Sequence, residues 1–353
     1  MNLSELRLMR LSSQRLAQPG NGVADTVRWM GAVQAQDVAG GLWAIGVRTA
    51  NSTLTDIQAA VERREVIRTW PMRGTLHFIS PELVRPVLRL TGPRINQRIA
   101  GRERQLEIDE HVIRAAAGVV AEEISVHGPR TRPELYAAME AAGLHPDGQR
   151  GIHILGQLSR DLLLCFGPHR GKQPTFVLLD EWIPDRGEIP DDAAGEELAR
   201  RYFRSHGPAT VRDFAWWSNL TLSDARPALE SCKSDLASRE MDGVEYWFDA
   251  EAVSARTEAL QLLPVFDEMI LGYTDRATVA AADHLERLIP GANGMFLASI
   301  VDDRGEIRGL WRKQPSGGAR LSFELFGPGL DESLLNEAGE RYARFVESSP
   351  PAR

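Results

Sequence analysis

One arrangement occurs twice in this 353-residue chain and limits its fold more than any other feature. Val126–Leu144 (VHGPRTRPELYAAMEAAGL) and Ser205–Leu222 (SHGPATVRDFAWWSNLTL) share one outline. In each, an amphipathic helix ends in His-Gly-Pro, a threonine follows, and a second helix begins. Gly128 and Gly207 read as C-terminal stops, with Pro129 and Pro208 just beyond. Thr131 and Thr210 read as N-caps, and Pro133 falls early enough in its helix to be tolerated. After the first repeat, GQRGIHILGQLSRDLLL is helical by period, and Leu163–Phe166 and Thr175–Leu179 read as strands around a Gly/Pro/Arg-rich turn. After the second, helices near Val211–Ser218 and Ser223–Cys232 lead to REMDGVEYWFD, where Asp242-Gly243 signals a hairpin.

Helix, helix, helix, hairpin is the winged-helix plan, a variant of helix-turn-helix. The N-terminal third fits it, with helices at about Ser4–Ala17, Ala24–Ala32 and Thr53–Arg64. Strands around Val66–Trp70 and Thr75–Ile79 follow, joined by Pro71-Met72-Arg73-Gly74, and Ser80-Pro81-Glu82 opens a long basic helix. The C-terminal part departs from the plan: FLASIVDDRGEIRGLWRK is a hairpin turning at Asp303–Gly305, LSFELFG a third strand, and Asp331–Ser348 a final helix. The expected fold is therefore mainly α with short β-hairpins, an α+β chain of three tandem winged-helix units and a small C-terminal α+β cap. The first unit spans 1–105 and includes the basic helix, the second 106–183, an acidic linker (Asp180–Glu197 at its heart) and the third unit 184–260, and the cap 261–353. The length agrees, since compact domains run to roughly 100–200 residues.

Composition narrows the function. A hydrophobic fraction of 43% with 25% charged residues describes an ordinary globular chain and excludes disorder as the whole answer. The net charge of −8 argues against coating nucleic acid or anionic membrane by bulk electrostatics, so a polyanionic partner must meet a local basic face. Such a face exists: from Glu62 to Arg104 ten arginines stand against four glutamates. Basic residues are almost all arginine, with lysine only at 172, 233 and 313, a bias of coding or of phosphate and guanine recognition. Cys165 and Cys232 cannot build a disulfide framework or a four-cysteine zinc site and suit a reducing compartment. The N-terminus MNLSELRLMRLSSQRL interrupts its apolar positions with arginine and serine, unlike a signal peptide or anchor. No run approaches the ~18 apolar residues of a membrane span. The expected location is the cytoplasm, on the nucleoid when bound to DNA, with no membrane partner.

Metal ligation finds no support in the scattered histidines, and neither a GxGxxG or P-loop nor a G-x-S-x-G elbow is present. Neither a metal nor a cofactor is expected. Gln34-Ala35-Gln36 is the first candidate site, because two amides two residues apart share a face only on extended backbone; a helix sets them about 200° apart. The Gly40-Gly41 pair just beyond is read as loss of helix here. Co-facing amides can hold a water between them or stabilise positive charge with their carbonyl dipoles, though glutamine does not titrate. Taken alone, a chance Gln-x-Gln at a helix end is the commoner situation. The second candidate is the wing RTWPMRGTLH: Arg68 and Arg73 suit phosphates, Trp70 a base or sugar, and Thr75 and His77 add polar groups. Trp70 and His77 equally suit filling the space beneath the wing. Arg94 and Arg98 continue the basic surface on the following helix. Third, Asp267 and Glu268 in LPVFDEMILGYTDR could form an acid/base pair, although Asp267 reads better as a turn or cap residue, with Arg276 as its structural or phosphate partner. Trp216 and Trp217 are read as packing residues, one inward and one at a domain contact.

Taken in order, Gln34-Ala35-Gln36, RTWPMRGTLHFIS, the two His-Gly-Pro units, LPVFDEMILGYTDR, and Gly294-Met295-Phe296 through Gly309-Leu310-Trp311 resemble the winged-helix alkylpurine DNA glycosylases of the AlkZ and YcaQ type. The resemblance covers nearly the whole chain. It implies a C-shaped scaffold of tandem winged helices around a DNA channel. It also implies excision of N-alkylated purines, including bulky N7 adducts and some interstrand crosslinks, by a Gln-x-Gln or Gln-x-Asp motif. The catalytic role falls on Gln34 and Gln36, in the Gln-x-Gln branch; Asp37, one place beyond, is not the other branch's carboxylate. An N7-alkylated purine is already a cationic leaving group, so a held water and stabilisation of an oxocarbenium-like state suffice. With no lysine nucleophile, the expected enzyme is monofunctional and leaves an abasic site. Its expected partner is double-stranded DNA carrying alkylated purines, bound by a monomer. The rival readings are a non-catalytic winged-helix DNA-binding protein or transcriptional regulator, and a scaffold that has lost DNA binding.

Overall fold

A computed structural model of the chain describes residues 1–184, 189–252, 254–257, 259–292, 294–314 and 320–347. Asp185–Glu188 of the expected linker and Ser348 of the expected last helix lie outside these. The protein is mainly helical, with short hairpins and small antiparallel sheets. It divides into two compact units, one of Met1–Ala59 with Glu196–Arg353 and one of Ala60–Gly195.

In the Ala60–Gly195 unit, helices Glu110–His127, Arg132–Ala141 and Arg150–Arg160 precede the hairpin Leu164–Arg170/Gln173–Leu178. The hairpin Ile67–Met72/Thr75–Ile79 and the helix Pro81–Gln105 come before them in the chain. Five antiparallel strands follow the order Thr75–Ile79, Ile67–Met72, Leu164–Arg170, Gln173–Leu178, Arg130–Thr131. The core joins Val120, Leu135, Ile154 and Leu158 of the helices to Trp70, Phe166 and Phe176 of the strands. Each such side chain removed from water contributes roughly 1.5–3 kcal/mol. Pro71 and Met72 belong to the strand, so the expected four-residue turn shrinks to Arg73 (φ 55°) and Gly74 (φ 75°). Positive φ at both central positions is the two-residue turn whose twist matches that of the flanking strands.

The larger unit carries helices Leu3–Ser13, Val23–Met30, Val38–Gly46, Val211–Ser218 and Leu222–Cys232, then the hairpin Leu236–Met241/Val244–Asp249. Its C-terminal sheet has four strands in the order Leu321–Leu325, Ile307–Lys313, Ser299–Val301, Gln261–Leu263, one more than expected, followed by helix Glu332–Glu347. The first helix stops at Ser13 rather than Ala17. Arg15 takes φ 56°, its N–H donates to Ser12 O, and Leu16 N–H donates back to Leu11 O, which satisfies the last carbonyls of the helix. The acidic stretch near 180–197 is not a continuous linker either. Leu179–Trp182 is a short helix, and Glu196 and Glu197 sit in the first turn of helix Ala194–His206, where the N-terminal partial positive charge favours carboxylates. Among the described residues no helix is long and apolar enough to cross a membrane.

Both repeats form as their residues require. Thr131 N–H and Oγ1 donate to Glu134 Oε2 at 2.7 and 2.8 Å. Thr210 N–H and Oγ1 donate to Asp213 Oδ2, both at 2.9 Å. These reciprocal caps fix where the second helix of each repeat begins.

Candidate functional site

Gln34 stands at the end of the buried strand Ala32–Gln34, and Gln36 is exposed in the bend that follows. The strand is bounded by two local signals. Gly31, at φ 74°, ends helix Val23–Met30, and Asp37 opens helix Val38–Gly46 by accepting Gly40 N–H at 2.6 Å. Gly40-Gly41 therefore lies inside a helix instead of ending one, contrary to expectation. The reason for glycine there is space: a Cβ on Gly41 would stand 3.0 Å from Gln34 O and from Ala35 Cα. The helix thus rides directly on the Gln-x-Gln backbone. Gln34 is only 8% exposed, and among the described residues no group donates to its Oε1. An amide oxygen shielded from bulk solvent and without a protein donor is a poised acceptor, since leaving such a group unpaired costs about 1–3 kcal/mol.

A buried polar network lies behind this strand. Glu268 Oε1 accepts Gln34 N–H at 2.9 Å, and its Oε2 accepts Trp217 Nε1–H at 2.9 Å. His206 Nε2 is 3.5 Å from the same Oε2, and the His206 ring is stacked on Tyr202. Burial pushes His206 below its usual pKa, against a weaker upward pull from Glu268, so the ring is neutral at pH 7. Tyr273 donates to His206 O at 2.8 Å and accepts from Gln14 Nε2 at 2.9 Å. Arg48 continues the chain, donating to Gln14 Oε1 and, through both amino groups, to Asp267 at 2.8 Å. Asp267 is a cap, as expected, accepting Met269 N–H at 2.9 Å; its partner, however, is Arg48 and not Arg276. The Arg276 guanidinium instead lies over the ring of Phe296, 5.0 Å from its centroid. Trp217 is fully buried and Trp216 is 44% exposed, with its indole donating to Leu271 O.

The other seven candidates fall in the Ala60–Gly195 unit. Arg68 is buried with its guanidinium over the Phe166 ring, and Trp70 packs against Phe166 and Phe176. His77 is buried at the hairpin's end, where Nδ1 lies 3.0 Å from Thr75 O and Nε2 lies 3.1 Å from Arg73. Those contacts assign the proton to Nδ1, leaving Nε2 to accept from the guanidinium. Arg73 and Thr75 are partly exposed at the turn, and Arg94 and Arg98 are exposed one helical turn apart on Pro81–Gln105. Thr91 ties that helix to the strand by donating to Pro71 O, and a Cβ on Gly74 would lie 3.7 Å from Ile95. The structure thus gathers Arg73, Thr75, Arg94 and Arg98 about one hairpin and helix with some exposure, while Arg68, Trp70 and His77, expected to contact DNA, are buried in the packed interior. Among the described residues no cluster of His, Cys, Asp or Glu is arranged to hold a metal ion.

Sequence reasoning did not find the Glu268, His206 and Trp217 cluster behind Gln34. The available signal was a carboxylate pair set inside an apolar run, FDEMIL, because charges buried this way are found with partners.

Comparison with known proteins places the chain. A family model described as DNA glycosylase AlkZ-like matches residues 27–345. An interstrand DNA cross-link repair glycosylase of Streptomyces sahachiroi is 27% identical over 329 residues, covering 86% of this chain and 85% of that one. The solved DNA glycosylase AlkZ of Streptomyces sahachiroi shares the fold, with a TM-score of 0.77 at 22% identity over 98% of this chain and 96% of that one. The protein is a DNA glycosylase, an enzyme of DNA repair. It belongs to the AlkZ-like family.

Proposed function

We propose that the enzyme hydrolyses the N-glycosidic bond of N-alkylated purines in duplex DNA, N7 adducts first among them, and that bulky or crosslinked adducts are included. Gln34 and Gln36 are the catalytic pair. The observation that carries this reading is Gln34 Oε1, a buried acceptor at a strand end that receives no protein hydrogen bond among the described residues. A water donating to that oxygen is held for attack on C1′. As the C1′–N9 bond breaks, its electron pair neutralises the cationic purine. The water oxygen bonds to C1′ and its surplus proton passes to solvent. The glutamine dipoles stabilise the oxocarbenium-like charge on the sugar, and a leaving group already cationic needs no strong acid. The relative's action on interstrand crosslinks supports extending the substrate class to bulky lesions.

Arg73, Arg94 and Arg98, with Thr75 at the same hairpin, are the phosphate-facing surface in this reading, within a tandem winged-helix monomer; His77, buried beneath them, holds Arg73 in place. Arg68 and Trp70 shape the hairpin from beneath. The test is product analysis on duplex carrying N7-methylguanine. Release of free base with the strand intact until alkali is added supports hydrolysis by a monofunctional enzyme. Strand scission without alkali overturns it, and tight duplex binding with no base released favours a non-catalytic DNA-binding protein.

A further inference from the structure

We infer that Glu268 is a positioning residue for Gln34, a step that rests on the catalytic reading above. Three observations carry it. First, the carboxylate is fully buried and its Oε1 takes the backbone N–H of Gln34 itself at 2.9 Å, across 234 residues of sequence. Second, the other oxygen is held by Trp217 Nε1–H at 2.9 Å, so the carboxylate plane has two fixed points. Third, Glu268 lies on a four-residue helix whose start is anchored by Asp267, and Asp267 is locked by the two-pronged Arg48 contact. With both carboxylate oxygens engaged, the acceptor of the Gln34 N–H is held in place. The orientation of the Gln34 peptide is therefore set from behind by a fully buried side chain. A displacement of about 1 Å at a catalytic group costs on the order of a hundredfold in rate.

The same geometry dictates the variants. Glu268→Leu removes both contacts. In Glu268→Gln the amide oxygen still accepts Gln34 N–H, but the amide nitrogen meets the Trp217 indole N–H, donor against donor. Adding Trp217→Phe removes that conflict. The experiment compares single-turnover excision of N7-methylguanine at saturating enzyme with duplex affinity for the full-length variants, and follows the Gln34 amide in protein labelled with nitrogen-15 glutamine. Glu268→Leu is expected to slow excision by about tenfold to a hundredfold with duplex Kd within about twofold, and Glu268→Gln to shift the Gln34 amide and slow excision less. Glu268→Gln/Trp217→Phe is expected to return to within about threefold of Trp217→Phe alone, a rescue that loss of folding does not produce. If Glu268→Leu does not fold, the amide variant and its rescue decide. Wild-type excision with Glu268→Gln at full rate, with affinity falling in step with rate, or with no rescue overturns this inference alone. Wild type without excision overturns the catalytic reading, and this inference with it.

Discussion

The two His-Gly-Pro turns have the same local sequence and each ends its helix at the histidine, yet their backbones and the surroundings of their side chains differ. His127 lies half-exposed at the end of its helix, 3.8 Å from Glu123 one turn back. His206 is fully buried between Tyr202, Trp217 and Glu268. The glycines differ in the same way. Gly128 adopts φ 74° with open space around it, whereas a Cβ on Gly207 would meet Phe203 O at 2.3 Å and Phe248 Cα at 2.7 Å. One glycine supplies a conformation and the other supplies room. A repeated motif ends the helix in both places; the partners packed on it decide whether that end is scaffold or the support of a site.

The largest expected contrast lies in the ion pairs. Arg48→Ala strands the buried Asp267 carboxylate and is expected to destabilise by about 3–5 kcal/mol. Arg114→Ala, which breaks an exposed contact to Glu110 in the other unit, is expected to change stability by under about 0.5 kcal/mol. Denaturant titration of both variants checks this, and equal losses contradict it. Next in size are the glycines. Gly207→Ala drives a methyl group into backbone and is expected to cost about 3 kcal/mol or more. Gly128→Ala carries only the strain of its dihedral, about 1–3 kcal/mol, so its melting temperature falls less.

The caps are the point where the two repeats converge. Thr131→Ala and Thr210→Ala are each expected to cost about 1 kcal/mol, because each removes the same local donor contacts. A loss several times larger at one of them shows that packing reaches the caps as well. The smallest effect is acid sensitivity. Burial holds His206 below its usual 6.5, so the unfolded chain binds that proton more readily and the associated stability, full above about pH 6.5, is lost as pH falls. Glu134 is held down at about 2 from 4.5 by the Thr131 backbone and side-chain hydrogen bonds, so its share is lost only between those values. Protection factors, taken relative to the slower intrinsic exchange at lower pH, are therefore expected to fall in helix Ala194–His206 between pH 7 and 5.5 while helix Glu110–His127 keeps its protection. An equal fall in both helices refutes the assignment.

What was legible in the sequence was local. The helix stops at the two His-Gly-Pro motifs, the N-caps at Thr131 and Thr210 and the hairpin turn at Asp242-Gly243 depend on residues a few positions apart, and the structure shows each of them. The Gly40-Gly41 pair was misread because sequence does not say whether a glycine serves a dihedral or a close approach, and here helix Val38–Gly46 needs the approach. Asp267 read correctly as a cap, but its partner Arg48 lies 219 residues away and no local pattern selects it over Arg276. For the same reason the residues Gln34-Ala35-Gln36 were visible as a motif, whereas Glu268 behind them was visible only as a carboxylate in an apolar run.

The most direct test of the account is the single-turnover rate of N7-methylguanine excision by wild type and by Gln34→Ala, with duplex affinity measured alongside. The account predicts base release by wild type, a loss of about a hundredfold or more in Gln34→Ala, and duplex Kd unchanged within about twofold. Excision by Gln34→Ala at the wild-type rate contradicts it.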